Sequence, residues 1–366
     1  MTSKTNLLGL SRTQLRAFFV TLEEKPFRAD QVMQWIHQYG LTDFSEMSNL
    51  SKGLRDKLTA TCVVEAPECV SVHQAMDGTR KWLLTVAGGS AVEAVLIPEK
   101  QRRTLCVSSQ VGCMLDCRFC CTGKQGFNRN LTSHEIIGQL WQVNQTLRLE
   151  GQALISNVVM MGMGEPLLNY EAVVPAMQIM RDDFGYGISK RRITLSTSGI
   201  VPKLYDLAKD CDVALAISLH APTDELRDHL VPINRKYNIE SLLTACSHYI
   251  DNTHHDSITV EYVMLKDVND SREQAKALVK LLRSFPAKVN LIPFNTFSNT
   301  EYQRSSPEAI AAFRDILIAA GIMTFTRKTR GDDIAAACGQ LAGKVNDRTF
   351  RALRFQKKQV NRVEVL

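Results

Sequence analysis

Three cysteines fall within eight residues, Cys113-Met-Leu-Asp-Cys117-Arg-Phe-Cys120, a C-x3-C-x2-C run. Thiolates this close converge on one metal centre with no folded element between them, and thiolate ligands suit zinc or an iron–sulfur cluster. Zinc in structural sites takes four ligands, commonly as two separated pairs. Here there is one triplet and no second pair. A fourth position must be filled from outside or left open, and an open iron is a place for chemistry. Cys121 lies directly beside the third cysteine and adds a fourth thiol to the same stretch.

Other residue types capable of chemistry lie at regular places along the chain. Gly162 and Gly164 precede Glu165-Pro166; missing side chains let a ligand approach the backbone, and the carboxylate can accept from an ammonium group. Ser196, Ser218 and Asn295 each sit at or just beyond an apolar strand-like run, where polar side chains contact ligands. Cys338 follows Asp-Asp-Ile-Ala-Ala-Ala, which reads as the start of a helix. A helix N-terminus there, with Arg327, Lys328 and Arg330 nearby, would make the thiol nucleophilic.

These residues need elements to carry them. Short β-rich runs recur at 104–109, 155–161, 192–197, 213–218, 258–265 and 288–293. Each is followed by helical patterning, as in Thr132 to Asn144, Tyr170 to Arg181 and Ser271 to Arg283. Six strands alternating with helices predict a parallel α/β sheet, open or partly closed into a barrel. Active sites in such folds gather at the C-terminal strand ends, where the candidate residues fall. Residues 7 to 60 read as short helices, one capped by Ser11 and one over 28 to 39 stopped by Gly40. Between 69 and 97 the period changes to that of strands, with Asp77-Gly78 as a hairpin turn.

The 366 residues carry a net charge of +6 and ten cysteines. No run of apolar residues is long enough for a membrane span, and the start lacks the apolar core of an export signal. Free thiols in a reducing cytoplasm are therefore expected rather than a disulfide framework. Residues 344–366 hold Lys344, Arg348, Arg351, Arg354, Lys357, Lys358 and Arg362 against Asp347 and Glu364. Such a basic tail fits phosphate contact in a nucleic-acid-binding protein.

The cysteine triplet resembles that of the radical S-adenosylmethionine (SAM) superfamily, whose three cysteines bind a [4Fe–4S] cluster with a fourth iron open to SAM. Further motifs narrow the resemblance: Cys106-Val-Ser-Ser-Gln-Val-Gly-Cys113, Gly126-Phe-Asn-Arg-Asn-Leu131, Met161-Gly-Met-Gly-Glu-Pro166, Ser196-Thr-Ser-Gly199, Ser218-Leu-His220, Pro293-Phe-Asn295 and Arg330-Gly-Asp-Asp-Ile-Ala-Ala-Ala-Cys338-Gly-Gln-Leu341. In that order they are similar to the RlmN family of dual-specificity RNA (adenine-C2) methyltransferases.

The resemblance implies a partial (βα)6 TIM-like barrel with a small N-terminal helical domain and a β connector. It divides the chain into a helical accessory domain, residues 1–60, in RNA contact; a β connector, 61–98; the radical SAM core, 99–343; and the basic tail, 344–366. It implies Cys113, Cys117 and Cys120 as cluster ligands, and Gly164, Glu165, Ser196, Ser218, Leu219, His220 and Asn295 as SAM contacts. Cys338 would accept a methyl group from a first SAM. A 5′-deoxyadenosyl radical from a second would then activate it for addition to C2 of an adenosine in 23S rRNA or tRNA. Cys106 would resolve the resulting covalent RNA–protein adduct through a transient disulfide, with Glu93 as candidate proton acceptor. An external electron donor and a monomeric, membrane-independent protein complete the expectation. Two alternatives stand beside it: methylation at adenosine C8, the pattern of the related resistance protein Cfr, and a non-catalytic RNA-binding protein with a structural metal site.

Overall fold

The computed structural model describes residues 4–298, 300–349 and 351. Arg354, Lys357, Lys358 and Arg362 of the basic tail lie outside the described residues.

The N-terminal part is helical, with α1 (Arg12–Thr21), α2 (Phe27–Gln34) and α3 (Lys52–Thr61). Ser11 and Gln14 form a reciprocal capping box at the start of α1, satisfying two backbone donors that a helix end leaves open. The chain leaves α2 through a turn of π-helix, Trp35–Tyr39, ended by Gly40 at φ 73°. That end leaves carbonyls without helical partners, and they are met from the core. Trp141 Nε1 donates to Ile36 O at 3.0 Å, Gln145 Nε2 to Gly40 O at 2.6 Å and Arg148 Nη2 to Gln38 O at 2.8 Å. The three donors lie on α4 (Ser133–Leu149), whose opposite stripe of Ile136, Leu140, Val143 and Leu147 is fully buried. Burial of each such side chain contributes roughly 1.5–3 kcal/mol.

One ten-stranded sheet runs through the rest of the chain. Its first strands, β1 (Glu68–Gln74), β2 (Arg80–Val86) and β3 (Ser90–Pro98), form antiparallel hairpins and join β4 (Arg103–Cys106) edge to edge. From β4 the pairing becomes parallel through β5 (Asn157–Met160), β6 (Ile193–Thr197), β7 (Ala214–Ser218), β8 (Ile258–Met264), β9 (Ala287–Pro293) and β10 (Thr324–Thr326). Helices connect successive parallel strands: α4, α5 (Tyr170–Arg181), α6 (Val201–Asp210), α7 (Ile239–Asp251), α8 (Arg272–Leu282) and α9 (Pro307–Ala319). Sequential order without edge closure makes this a partial barrel. Six of the parallel strands coincide with the β-rich runs of the sequence. The seventh, β10, has only three residues, two of them exposed, so it leaves no periodic signal.

Candidate functional site

The C-terminal ends of the parallel strands surround a cavity of about 160 Å³. Its wall takes Met161, Gly162, Gly164 and Glu165 from beyond β5, Ser196, Thr197 and Ser198 from the end of β6, and Ser218 and His220 from that of β7. Glu261 comes from β8, Asn295 from beyond β9 and Arg327 from beyond β10. Two further pieces close it: Phe119 and Cys120 of the cysteine loop, and Cys338 with Gly339. Of the expected SAM contacts, Leu219 is absent from the wall; its side chain is fully buried. Its carbonyl instead accepts from Arg227 Nε at 3.1 Å.

Local geometry explains several residue choices. Gly164 has φ 100°, and a Cβ there would lie 2.5 Å from Gln110 Cβ, so both conformation and space require glycine. Glu165 is buried, its carboxylate accepting from Ser198 N at 2.8 Å and from Leu167 N at 3.1 Å. Burial nevertheless pushes its pKa up against those hydrogen bonds. A buried carboxylate in this condition is suited to an added cation such as the ammonium group of a ligand. His220 sits at φ 60°, with Nδ1 accepting from Val263 N at 3.0 Å and its ring edge-on to Phe119 at 4.6 Å. Burial lowers its pKa to about 3, so it is a neutral structural ring.

The cysteine loop follows the short strand Gln110–Gly112 and returns through Phe127–Asn130. The neck of the loop is closed by Cys113 N donating to Gly126 O at 2.8 Å. Burial and mutual repulsion drive the Cys113 thiol well above its usual range, and Cys117 is pushed up to about 12 by the same causes in the same order. Cys120 is raised by burial. Three protonated thiols crowded together are what a metal must displace protons from, and iron charge would offset the repulsion. Among the described residues, no three His, Cys, Asp or Glu side chains are placed to share a single ion; a four-iron cube instead takes its thiolates at separate corners. The set fits a cluster. Cys121, its thiol raised to about 11 by burial, starts the helix Cys121–Lys124 and donates from its N–H to Gly339 O at 2.8 Å. The loop is thereby tied to the segment bearing Cys338.

Cys338 does not begin a helix, contrary to the sequence expectation. Asp332–Ile334 makes one 3-10 turn, Ala335 then turns left-handed at φ 50°, and Cys338 lies in the irregular stretch that follows. Gly331 and Gly339, also at positive φ, break the helix that three alanines suggest. The nearby positive charge comes from Arg327 instead. Its guanidinium is raised above the usual arginine range chiefly by Cys338, against its burial, with Glu261 and Cys106 adding to the effect. Cys106 ends β4, buried, its thiol pushed up to about 12 first by burial and then by Cys338. Both cysteines are free thiols. Lys328 and Arg330 line a second recess beside Cys338, and Arg330 also stands 3.8 Å from Asp77.

Glu93 is neither exposed nor on the cavity wall. It lies on β3 between two paired strands, ion-paired to Lys81 at 3.0 Å and accepting from Ala342 N at 2.8 Å. Lys81 Nζ also donates to Ala335 O at 3.1 Å, so the pair holds the Cys338 segment from below. Two residues escaped the sequence reading. Ser198 stands 3.9 Å from Cys117 Sγ. Arg227 is fully buried and donates to Ser198 O, Ser218 O, Leu219 O and Asn234 Oδ1 at 2.7–3.1 Å. It binds the ends of β6 and β7 together. A charged residue in an amphipathic helix carries no sequence signal for such a role.

Comparison with known proteins agrees with this geometry. Residues 5–64 match the family described as the ribosomal RNA large subunit methyltransferase N-terminal domain, and residues 107–279 match the radical SAM superfamily. The crystal structure of a radical SAM methyltransferase from Sphaerobacter thermophilus is 41% identical, with a TM-score of 0.85. The match covers 92% of this chain and 99% of that one. A domain of pyruvate-formate lyase-activating enzyme from Bacteroides vulgatus is 18% identical over 47% of this chain and 99% of that chain, with a TM-score of 0.37, too distant to bear on the site. With the helical domain, the barrel and the cysteine loop all matched, the chain belongs to the RlmN-like family of radical SAM rRNA methyltransferases, which use a [4Fe–4S] cluster and SAM.

Proposed function

We propose that this enzyme methylates C2 of a specific adenosine in 23S rRNA and in tRNA, with Cys338 as methyl carrier and Cys106 as resolving thiol. The observation that carries the reading is that Cys338 and Arg327 line the same cavity as Gly164, Glu165, Ser196, Ser218, His220 and Asn295, with Cys106 buried at the end of β4. Cys113, Cys117 and Cys120 hold the cluster in this reading, and Leu219 contributes main-chain atoms alone.

When bound, the cluster and SAM supply an electrophilic methyl group and a one-electron route to a carbon radical, which an electron-poor C2 requires. The rest falls to side chains. Glu165 takes the ammonium of SAM. Cys338, which shares the cavity wall with the Arg327 guanidinium, accepts a methyl group by in-line displacement. After the carrier is joined to the RNA base, Cys106 gives up its proton and attacks the Cys338 sulfur; the carbon leaves with the electron pair of the carbon–sulfur bond and takes up a proton to become the methyl group, and the disulfide left behind is opened by an external reductant. Glu93, which accepts from Ala342 N on the Cys338 segment, is the candidate acceptor of the proton lost from the adduct. The base enters unstacked, since a stacked adenine hides C2. A dithiol renewed at every turnover is supported by a reducing cytoplasm.

The test is an anaerobic reaction with SAM, a reductant and separate rRNA and tRNA substrates, read by mass spectrometry of the nucleosides. 2-Methyladenosine in both RNAs is expected. 8-Methyladenosine as sole product defeats the choice of carbon while leaving the reaction class intact.

A further inference from the structure

Residues 344–349, with Arg351, cross back over the cysteine loop, and the methyl transfer leaves them without a role. Their path is closely held. Lys344 and Ala91 exchange both backbone hydrogen bonds, at 2.9 and 3.0 Å. Asn128 Nδ2 donates to Asn346 O at 2.5 Å, Phe127 N to Asp347 Oδ1 at 3.3 Å, and Arg348 N to Phe127 O at 2.9 Å. Gly126, at φ 83°, leaves open the space that the Asp347 carboxylate occupies; any side chain there would evict it.

These contacts deliver Arg351 to the loop. Nη1 donates to the carbonyls of Cys113 at 3.1 Å, Leu115 at 2.9 Å and Gly123 at 2.9 Å, and Nη2 to that of Met114 at 3.0 Å. One rigid fork thus gathers main-chain oxygens from both limbs of the loop, from the first cysteine itself to the short helix after the third. A lysine ammonium has three donors and no fixed plane, so it cannot reproduce the set. All four partners are neutral, and none of the ion pairs among the described residues involves Arg351.

We propose that Arg351 is a positioning residue for the cluster: it fastens the C-terminal segment across the ligand loop, and its charge favours the reduced state. This rests on the reading of Cys113, Cys117 and Cys120 as ligands. A four-iron cluster on three thiolates is anionic and gains a further negative charge on reduction, so a fixed cation at its loop raises the reduction potential.

The test compares wild type with Arg351→Gln and Arg351→Lys in the full chain. Hydrogen exchange of the apo-protein reads the fastening, and a redox titration followed by electron paramagnetic resonance reads the charge. Both variants should exchange several-fold faster across 113–126, with exchange of the distant α8 unchanged. The cluster potential should fall in Arg351→Gln and stay near wild type in Arg351→Lys. Unaltered exchange in both variants overturns the fastening, and an unaltered potential in iron-replete Arg351→Gln overturns the charge effect. Should Arg351→Gln not fold, the exchange measured in Arg351→Lys still decides. A wild type that binds no iron on reconstitution would instead refute the ligand assignment, and with it the effect on potential.

Discussion

The side-chain amide of Asn295 donates to the carbonyl oxygen of Cys338 at 3.2 Å. Asn295 is itself oriented, its Oδ1 accepting from Arg304 Nη2 at 2.9 Å and from Thr329 Oγ1 at 3.3 Å. The end of β9 therefore sets the height at which the Cys338 thiol stands over the cavity, next to the strand ends that carry Glu165, Ser196 and Ser218. The Cys338 segment is held at its other points by Cys121, Thr122, Lys81 and Glu93. It is a strap between the cysteine loop and the antiparallel strands.

The two thiols should fail differently. Cys338→Ala removes the carrier, and product should drop on the order of 10³-fold or more; nucleoside mass spectrometry at normal yield from this variant would rule the carrier out. Cys106→Ala should stop one step later, leaving RNA attached to Cys338. A band that survives denaturing electrophoresis and disappears with nuclease identifies it, and ordinary turnover without that band would remove Cys106 from the reaction.

Replacing one cluster ligand should cost metal before it costs fold. Cys117→Ala leaves a protonated pair where three thiolates bind, so reconstituted iron should fall to a small fraction of wild type. The circular-dichroism spectrum should be retained, because the loop lies outside the sheet. Full iron content in Cys117→Ala would contradict its assignment.

Glu93→Gln separates a proton acceptor from a strut. Loss of the charge opposite nearly buried Lys81 should lower stability by about 2 kcal/mol, seen as a reduced denaturation midpoint. An acceptor role adds a second sign: the covalent RNA adduct should accumulate. A lower midpoint with no adduct leaves Glu93 a strut for the Cys338 segment only.

His37 predicts an acid sensitivity of the N-terminal domain. It is buried against the core, its Nδ1 3.3 Å from the Tyr186 hydroxyl, with Arg148 bound to its own carbonyl. Burial lowers its pKa to about 3. The unfolded state therefore takes up the proton first, so the contribution is whole above about pH 6.5 and is lost as pH falls toward 3. The slope is about 1.4 kcal/mol per pH unit, or about 2 kcal/mol by pH 5. Denaturation midpoints at pH 7 and pH 5 should differ for wild type and converge for His37→Gln; equal slopes would refute the assignment.

Much of this protein is written locally in its chain. The spacing of Cys113, Cys117 and Cys120 declares thiolate chemistry because no fold is needed to bring together ligands three and four residues apart. Alternating strand and helix patterns declare the parallel sheet, since burial on both faces demands continuous apolar runs such as Ala214–Ile217 of β7 and Tyr262–Met264 of β8. The turn at Gly78 and the caps at Ser11 and Gly40 follow from backbone conformations few residues accept.

What the tertiary structure alone decided lies between residues far apart in sequence. Cys338 and Arg327 share one cavity with Glu165, Ser196 and Ser218 because parallel strands place all their ends on one side. Glu93 looks like an intruder in an apolar strand until Lys81 and Ala342 supply its partners. Cys338 leaves the helix its alanines suggest because glycines on both sides turn the chain for contacts with Asn295 and Cys121. Arg351 reads as one more basic tail residue, yet it holds four carbonyls of the cysteine loop. Pattern reports the preference of each residue for water or core; which charges and thiols face one another depends on how the sheet curls, and no local preference encodes that.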